Sequence, residues 1–162
     1  MSSESDAATD ADGRPLWTPT SLSHDAAAHL SSCRADSAFM WQSRGAPQME
    51  YHDSLRRAHL LIEQRDAKIG FLTKVSEDGL FGADVTLTTD GTTMLSRDLL
   101  DSVNEMCFLE EMLQIGKWEA ETVLDVGSGY GRWAHRAALA LPMLRILSAD
   151  AIPSSAAIAS AY

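Results

Sequence analysis

Between residues 125 and 150 the sequence sets two carboxylates around a glycine-rich turn. Asp125 comes first, then Gly127-Ser128-Gly129-Tyr130-Gly131, then Asp150 nineteen residues further on. Glycine lets a backbone turn sharply and approach a bound molecule with no Cβ in the way. The N–H groups that open a following helix lack partners within that helix and can face the same molecule. Asp150 is placed to accept hydrogen bonds from both hydroxyls of a ribose. Each such bond to a charged acceptor is worth about 1.5–3 kcal/mol. The residue types therefore suit a nucleoside-bearing ligand held by backbone and carboxylate.

The spacing narrows the choice of ligand. A dinucleotide fingerprint GxGxxG would need its third glycine at position 132, where Arg132 stands. The glycines instead run GxGxG, with Asp125 two residues before the first. A carboxylate beside the loop would repel a pyrophosphate. It would attract the sulfonium and ammonium of S-adenosylmethionine. Asp125, Gly127, Ser128, Gly129, Gly131 and Asp150 are thus the candidate residues for binding that cofactor.

These residues need elements to hold them. Thr122–Val126 reads as a short apolar strand running into the glycines. Arg132–Leu141 follows as a helix that Pro142 stops, and Arg145–Ala149 is a second strand with Asp150 at its carboxyl end. Val123, Leu124, Val126, Ala134 and Ala138 are expected to pack strand against helix. Ile152-Pro153 opens another helix. The order strand, glycine loop, helix, strand, acid is the first βαβ unit of a nucleotide-binding α/β fold.

Upstream, residues 1–13 carry Glu4, Asp6, Asp10 and Asp12 among small residues and read as a disordered acidic tail. Residues 14–118 form a helical and hairpin module. A short helix is expected around Ala26–Leu30, with Trp17, Phe39 and Trp41 as anchors and a turn at Gly45-Ala46-Pro47. From Gln48 to about Lys68, Met49, Leu55, Ala58, Leu61 and Ile62 recur at helical spacing. Asp84–Thr88 and Thr92–Leu95 are β-prone runs joined across an Asp-Gly turn. Ser96 then caps a helix from Arg97 to about Ile115, with Leu99, Leu100, Val103, Met106, Cys107, Leu109 and Leu113 as its apolar face and Gly116 as its end. Residues 119–162 are the partial binding domain.

Composition excludes several classes. Thirteen basic residues against 23 acidic ones give a net charge of −10, against the basic surface that nucleic acid or an anionic membrane requires. The first residues lack the basic and apolar regions of a secretory signal, and no apolar run is long enough for a membrane span. Cys33 and Cys107 have no CxxC partner and no histidine nearby at ligand spacing, so they read as buried thiols with no metal site. A reduced, soluble, cytoplasmic protein is expected.

Several polar residues have plainer readings. Asp101, Asn104 and Glu105 form a stripe that is either a solvated face or the border of the ligand pocket. His135 and Arg136 suit surface or packing roles, Tyr130 and Trp133 suit packing, and His24, His29, His52 and His59 suit solvent.

Val123-Leu-Asp-Val-Gly-Ser-Gly-Tyr-Gly131 followed by Asp150 resembles the first two motifs of the class I S-adenosylmethionine-dependent methyltransferases. Ser96–Glu105, Gly129–Arg132, Ala134–Arg136, Leu141-Pro142 and Asp150–Pro153 look like a family of sugar O-methyltransferases over about residues 70–162. The resemblance implies an incomplete Rossmann-like fold preceded by a helical region with a β-hairpin. It also implies methyl transfer to a hydroxyl of a small-molecule or glycan acceptor. Only two strands of such a core are legible, so the chain reads as the front half of an enzyme, without an identifiable catalytic base and with weak or no donor binding of its own. Methyl transfer to another metabolite or a lipid, and a noncatalytic interaction fragment, are the alternatives.

Overall fold

The computed structural model describes Leu30, residues 32–35 and residues 48–162. The acidic tail, the helix body at 26–29, Trp17, His24, His29, Phe39, Trp41 and the turn at 45–47 lie outside the described residues.

Helix α1 is Gln48–Asp66. Tyr51, Leu55 and Ile62 are buried along it, with Ala58 packed between them. This is one stripe at helical spacing. Met49 and Leu61, expected on that stripe, are 77 % and 68 % exposed. Leu61 lies about 100° around the helix from Ile62, which carries it off the buried face. The helix stops at Asp66, short of Lys68, because the Asp66 carboxylate turns the chain. It accepts the N–H groups of Phe71 and Leu72, each at 2.8 Å, and Gly70 adopts φ +85° between them.

Strands β1 (Val85–Leu87) and β2 (Met94–Ser96) form the expected antiparallel hairpin, with Thr86 opposite Leu95. Both are shorter than the β-prone runs, because residues 88–93 make a loop stitched by the Asp90 carboxylate to Thr88 and Thr92. Helix α2 is Arg97–Leu113, and the Ser96 hydroxyl accepts the Leu99 N–H at 3.0 Å as its cap. Its terminator is Gln114 at φ +54°, not Gly116. Gly116 sits in the following turn, where its N–H donates to the Glu110 carboxylate. Leu99, Leu100, Val103, Met106 and Cys107 are buried, whereas Leu113 is exposed.

Strands β3 (Thr122–Val126) and β4 (Arg145–Ala149) pair in parallel, in register from Thr122 opposite Arg145 to Val126 opposite Ala149. Helix α3 (Arg132–Ala140) connects them, and helix α4 (Pro153–Ala161) follows. The chain is therefore mixed helix and strand with two small sheets, one antiparallel and one parallel, compatible with an α/β class.

One core joins α1, α2, α3 and the parallel pair. It includes Leu55, Phe71, Leu99, Met106, Trp133 and Ala137, so residues on both sides of position 118 share it. Val123 and Ile146 pack against this core. Leu124 and Val126 do not join strand to helix: they are 60 % and 76 % exposed, and Leu147 is 43 % exposed. Successive strand side chains alternate faces, so residues flanking Val123 cannot share its side. On α3 the buried alanines are Ala137 and Ala140, and Ala138 is exposed. Among the described residues no helix is long and apolar enough to cross a membrane.

A buried ionic cluster ties distant segments together. Arg34 donates from Nη1 and Nη2 to the two oxygens of Glu77, at 2.8 and 2.6 Å, and from Nε to Asp98 Oδ2 at 2.7 Å. Arg136 adds a contact to Glu77 at 3.2 Å, and the Ser96 hydroxyl donates to the same oxygen. Burial alone would push the Glu77 carboxyl up. The hydrogen bonds from Arg34, Ser96 and Gly79 outweigh it and hold the group at about 2, against an ordinary 4.5. Glu77 therefore contributes stability above its unfolded value that is lost as pH falls through the folded one. We expect denaturant stability to fall between pH 4.5 and about 2. Glu77→Gln should flatten that dependence and cost about 3–5 kcal/mol at neutral pH, as for a broken buried pair. Urea unfolding across this pH range is the measurement.

Candidate functional site

The glycine loop connects β3 to α3 and crosses over the end of β4. Gly127 and Ser128 donate their N–H groups to the Ala149 carbonyl, at 2.8 and 3.3 Å. Gly127, Gly129 and Gly131 have φ of +76°, +57° and +86°, so all three occupy the left-handed region that side chains enter at a cost. Their spacing comes from that geometry. Gly131 has a second constraint, since a Cβ there would meet the Ala159 Cβ at 3.3 Å. Gly131 is also the cap of α3, and no side chain caps that helix.

Asp150 shapes the loop from the other strand. Its Oδ2 accepts the Gly129 N–H and its Oδ1 accepts the Ile152 N–H, both at 2.8 Å. Each oxygen retains capacity for a further donor. Asp150 thus organises the loop and opens α4, a job the spacing alone did not reveal.

Two grooves flank the loop and meet at Ser128. The first, of about 650 Å³, lies between α2 and β3 and is lined by Asn104, Glu105, Phe108, Leu124, Asp125, Gly127, Arg132 and Trp133 among others. The second, of about 480 Å³, lies between α3, β4 and α4 and is lined by Gly131, His135, Ser148, Asp150 and Tyr162 among others. The two candidate acids therefore line different grooves, with the glycines between. A larger cavity, of about 750 Å³, lies between α1 and the hairpin and contains none of the candidate residues.

Of the polar stripe on α2, Asn104 and Glu105 border the first groove, whereas Asp101 pairs with Arg97 at 2.7 Å. Glu105 receives the Arg132 guanidinium at 2.9 and 3.2 Å, and Arg132 also donates to the Ser102 hydroxyl at 3.0 Å. The residue in place of a third fingerprint glycine thus clamps α3 to α2 at the groove's edge.

Asp125 is the candidate acid whose carboxyl is perturbed by burial. Its Oδ2 is buried and accepts no hydrogen bond among the described residues. Burial pushes its carboxyl up. Arg132 opposes that shift, and Glu105 and Asp150 reinforce it. A carboxylate in this position favours the approach of a positive charge.

Tyr130 and Trp133 are both buried, in keeping with packing roles. Arg136 is buried on Glu77 rather than on the surface. His135 lies against the Tyr162 ring at 4.8 Å, and burial, helped by Arg136, holds its imidazole below the usual range. Cys33 and Cys107 are buried free thiols. His52 is not simply solvated but pairs with Asp84 at 2.9 Å. Among the described residues no cluster suits a metal ion. The members that the sequence did not flag are Arg34 and Glu77. They are 43 residues apart, and no local pattern links them.

Comparison with protein-family models, with curated proteins and with solved structures found no match to this chain.

The raised Asp125 carboxyl has a consequence for stability. An acid raised in the folded state contributes stability that is complete below its unfolded pKa and is lost as pH rises through the folded one. Asn at this position removes the charge cost. Asp125→Asn should therefore raise the urea midpoint at neutral pH, and the gain should vanish below the ordinary aspartate value of 3.8. A variant less stable than the parent at pH 7 would mean that the charged form is favourably held.

Proposed function

We propose that this chain is the donor-binding part of a class I S-adenosylmethionine-dependent methyltransferase with a Rossmann-like fold, acting on a hydroxyl of a small-molecule or glycan acceptor, in the first instance a sugar. The observation that carries the reading is the Asp125 carboxylate. One of its oxygens is buried without a donor among the described residues, beside a loop of three left-handed glycines and a groove that holds a second acid, Glu105. A cationic ligand would supply the missing partner. A pyrophosphate would meet two carboxylates.

On this reading the two grooves divide the donor. The charged methionine end lies in the groove of Asp125 and Glu105. The ribose crosses the glycines toward Asp150, whose oxygens keep lone pairs for its hydroxyls while holding Gly129 and Ile152. S-adenosylmethionine supplies an electrophilic methyl on a sulfonium. Bound there, it would pass that methyl to an acceptor oxygen as the carbon–sulfur bond breaks, leaving a neutral thioether, with the hydroxyl proton going to base or solvent. The residues of this chain act by positioning and by charge. No side chain among the described residues is assigned as the base.

A noncatalytic interaction fragment is the second reading. It is favoured by the exposed apolar side chains of Leu124, Val126 and Leu147 on one face of the parallel pair.

The test is amide NMR of the full chain titrated with S-adenosylmethionine and with S-adenosylhomocysteine up to millimolar concentration. Both should shift Gly127, Gly129 and Gly131, with weak affinity. Asp125→Asn should lose about tenfold more affinity for the cationic donor than for the neutral-sulfur product. Asp150→Ala should weaken both alike, by about 1.5–3 kcal/mol. Absence of any shift in the loop at millimolar ligand would remove the donor-binding reading. Equal losses for both ligands in the Asp125 variant would remove the charge argument alone.

A further inference from the structure

We propose that Tyr130 is a positioning residue, and that the buried Arg34–Glu77–Asp98 cluster acts through its hydroxyl to hold the glycine loop in its binding shape. The consequence for ligand affinity rests on the donor-binding reading above. The effect on the loop itself does not.

Tyr130 lies between Gly129 and Gly131, both with left-handed backbone. Glycine loses more conformational freedom on folding than any other residue, so a loop of this composition keeps one shape only if something else holds it. Backbone bonds to Asp150 and the Ala149 carbonyl hold the Gly127–Gly129 side. Tyr130 holds the middle. Its hydroxyl donates to Asp98 Oδ2, the same oxygen that accepts Arg34 Nε at 2.7 Å. Arg34 is fixed in turn by its two bonds to Glu77.

The ring is clamped as well as the hydroxyl. It packs with Cys33 and Ile158 in a second buried cluster, and it meets the Tyr162 ring edge-on at 5.2 Å. Three separate segments therefore converge on one loop side chain: the segment at Cys33, the first turn of α2, and α4 with the Tyr162 that follows it; the turn at Glu77 joins them through Arg34. Tyr130 itself lines neither groove beside the loop, although its ring partner Tyr162 lines the second. A side chain buried outside the grooves, yet bonded through a charged chain of partners, can set loop shape without touching a ligand. Preorganisation of this kind raises affinity by lowering the ordering cost of binding.

The experiment is hydrogen–deuterium exchange on the full chain, read residue by residue, for the parent, Tyr130→Phe and Asp98→Asn. Phenylalanine keeps the ring packing and removes only the hydroxyl. The Gly129 and Gly131 amides are hydrogen-bonded to Asp150 and to the Ser128 carbonyl, so their exchange reports loop opening. Tyr130→Phe should speed exchange of these two amides about tenfold, the worth of one hydrogen bond to a charged group, while α1 amides keep their rates. Affinity for S-adenosylhomocysteine should fall by a similar factor. Should Tyr130→Phe fail to fold, Asp98→Asn weakens the same bond from its other end and must speed the two loop amides beyond whatever chain-wide acceleration the loss of the Arg34 pair brings. Unchanged loop exchange, or acceleration spread evenly over the chain, would overturn the proposal and leave Tyr130 an ordinary core residue. If the parent binds no S-adenosylhomocysteine, the donor-binding reading falls, and the exchange pattern still decides whether Tyr130 positions the loop.

Discussion

A guanidinium withdrawn from water must find acceptors for its donors within the protein, and Arg34 finds them on segments that are remote in sequence. Glu77, Asp98, the Asp78 carboxylate and the Leu80 carbonyl surround it. Desolvating such a group costs several kcal/mol unless every partner is in place. The cluster therefore acts as a constraint on geometry more than as a source of stability. It requires the turn after α1, the cap of α2 and the segment at residues 32–35 to meet at one point. Tyr130 extends the same requirement to the glycine loop, and Arg136 extends it to α3.

This constraint marks the boundary between what the sequence made legible and what it did not. Strands β3 and β4 lie where the apolar runs placed them, because short runs bounded by glycine and proline admit few alternatives. The Ser96 cap and the hairpin follow from local chemistry too. Errors came where a face had to be chosen. Met49, Leu61, Leu124 and Val126 are apolar by type but exposed, since period decides direction and only packing decides which side is covered. Gln114 ends α2 although a glycine stands two residues on, because the Glu110 carbonyl and carboxylate capture the chain first. The charged cluster was invisible, since its bonded partners lie 19 to 64 residues apart and no local pattern links them. Of the candidate site, the acids and glycines were nominated from spacing, and the structure gathers them at the carboxyl end of the parallel pair. The double duty of Asp150 was not legible, because a carboxylate that binds backbone and one that awaits a ligand look alike in sequence.

The groove between α2 and β3 has a definite charge logic. The chain carries a net −10, and Glu105 and Asp125 add local negative charge beside the loop. Arg132 answers Glu105 directly, at 2.9 Å, and lowers the Asp125 carboxyl only in part. Neutralising Glu105 with an internal arginine leaves Asp125 as the uncompensated acid. A site with one fixed internal cation and one carboxylate oxygen that has no partner among the described residues discriminates by charge. It suits a ligand with a single positive centre near the loop, and it disfavours polyanions at the same position.

The exposed face of the parallel pair bears on the same question. Parallel strands are ordinarily covered on both faces. Here Val123 and Ile146 face the core, and Leu124, Val126 and Leu147 do not. Leu124 and Val126 are also walls of the groove that contains Asp125, together with Phe108 from α2. Leu124 and Val126 therefore belong both to the open face and to the lining of that groove. A molecule that pairs with the carboxylate alone would leave this apolar wall in water. One with a positive centre set among aliphatic or aromatic atoms would satisfy both parts at once. On the proposed reading the donor is such a molecule, with its charge on sulfur and nitrogen and carbon around them. The physical case for it thus rests on the conjunction of carboxylate and apolar wall, more than on the glycines, which any tight strand-to-helix turn could use.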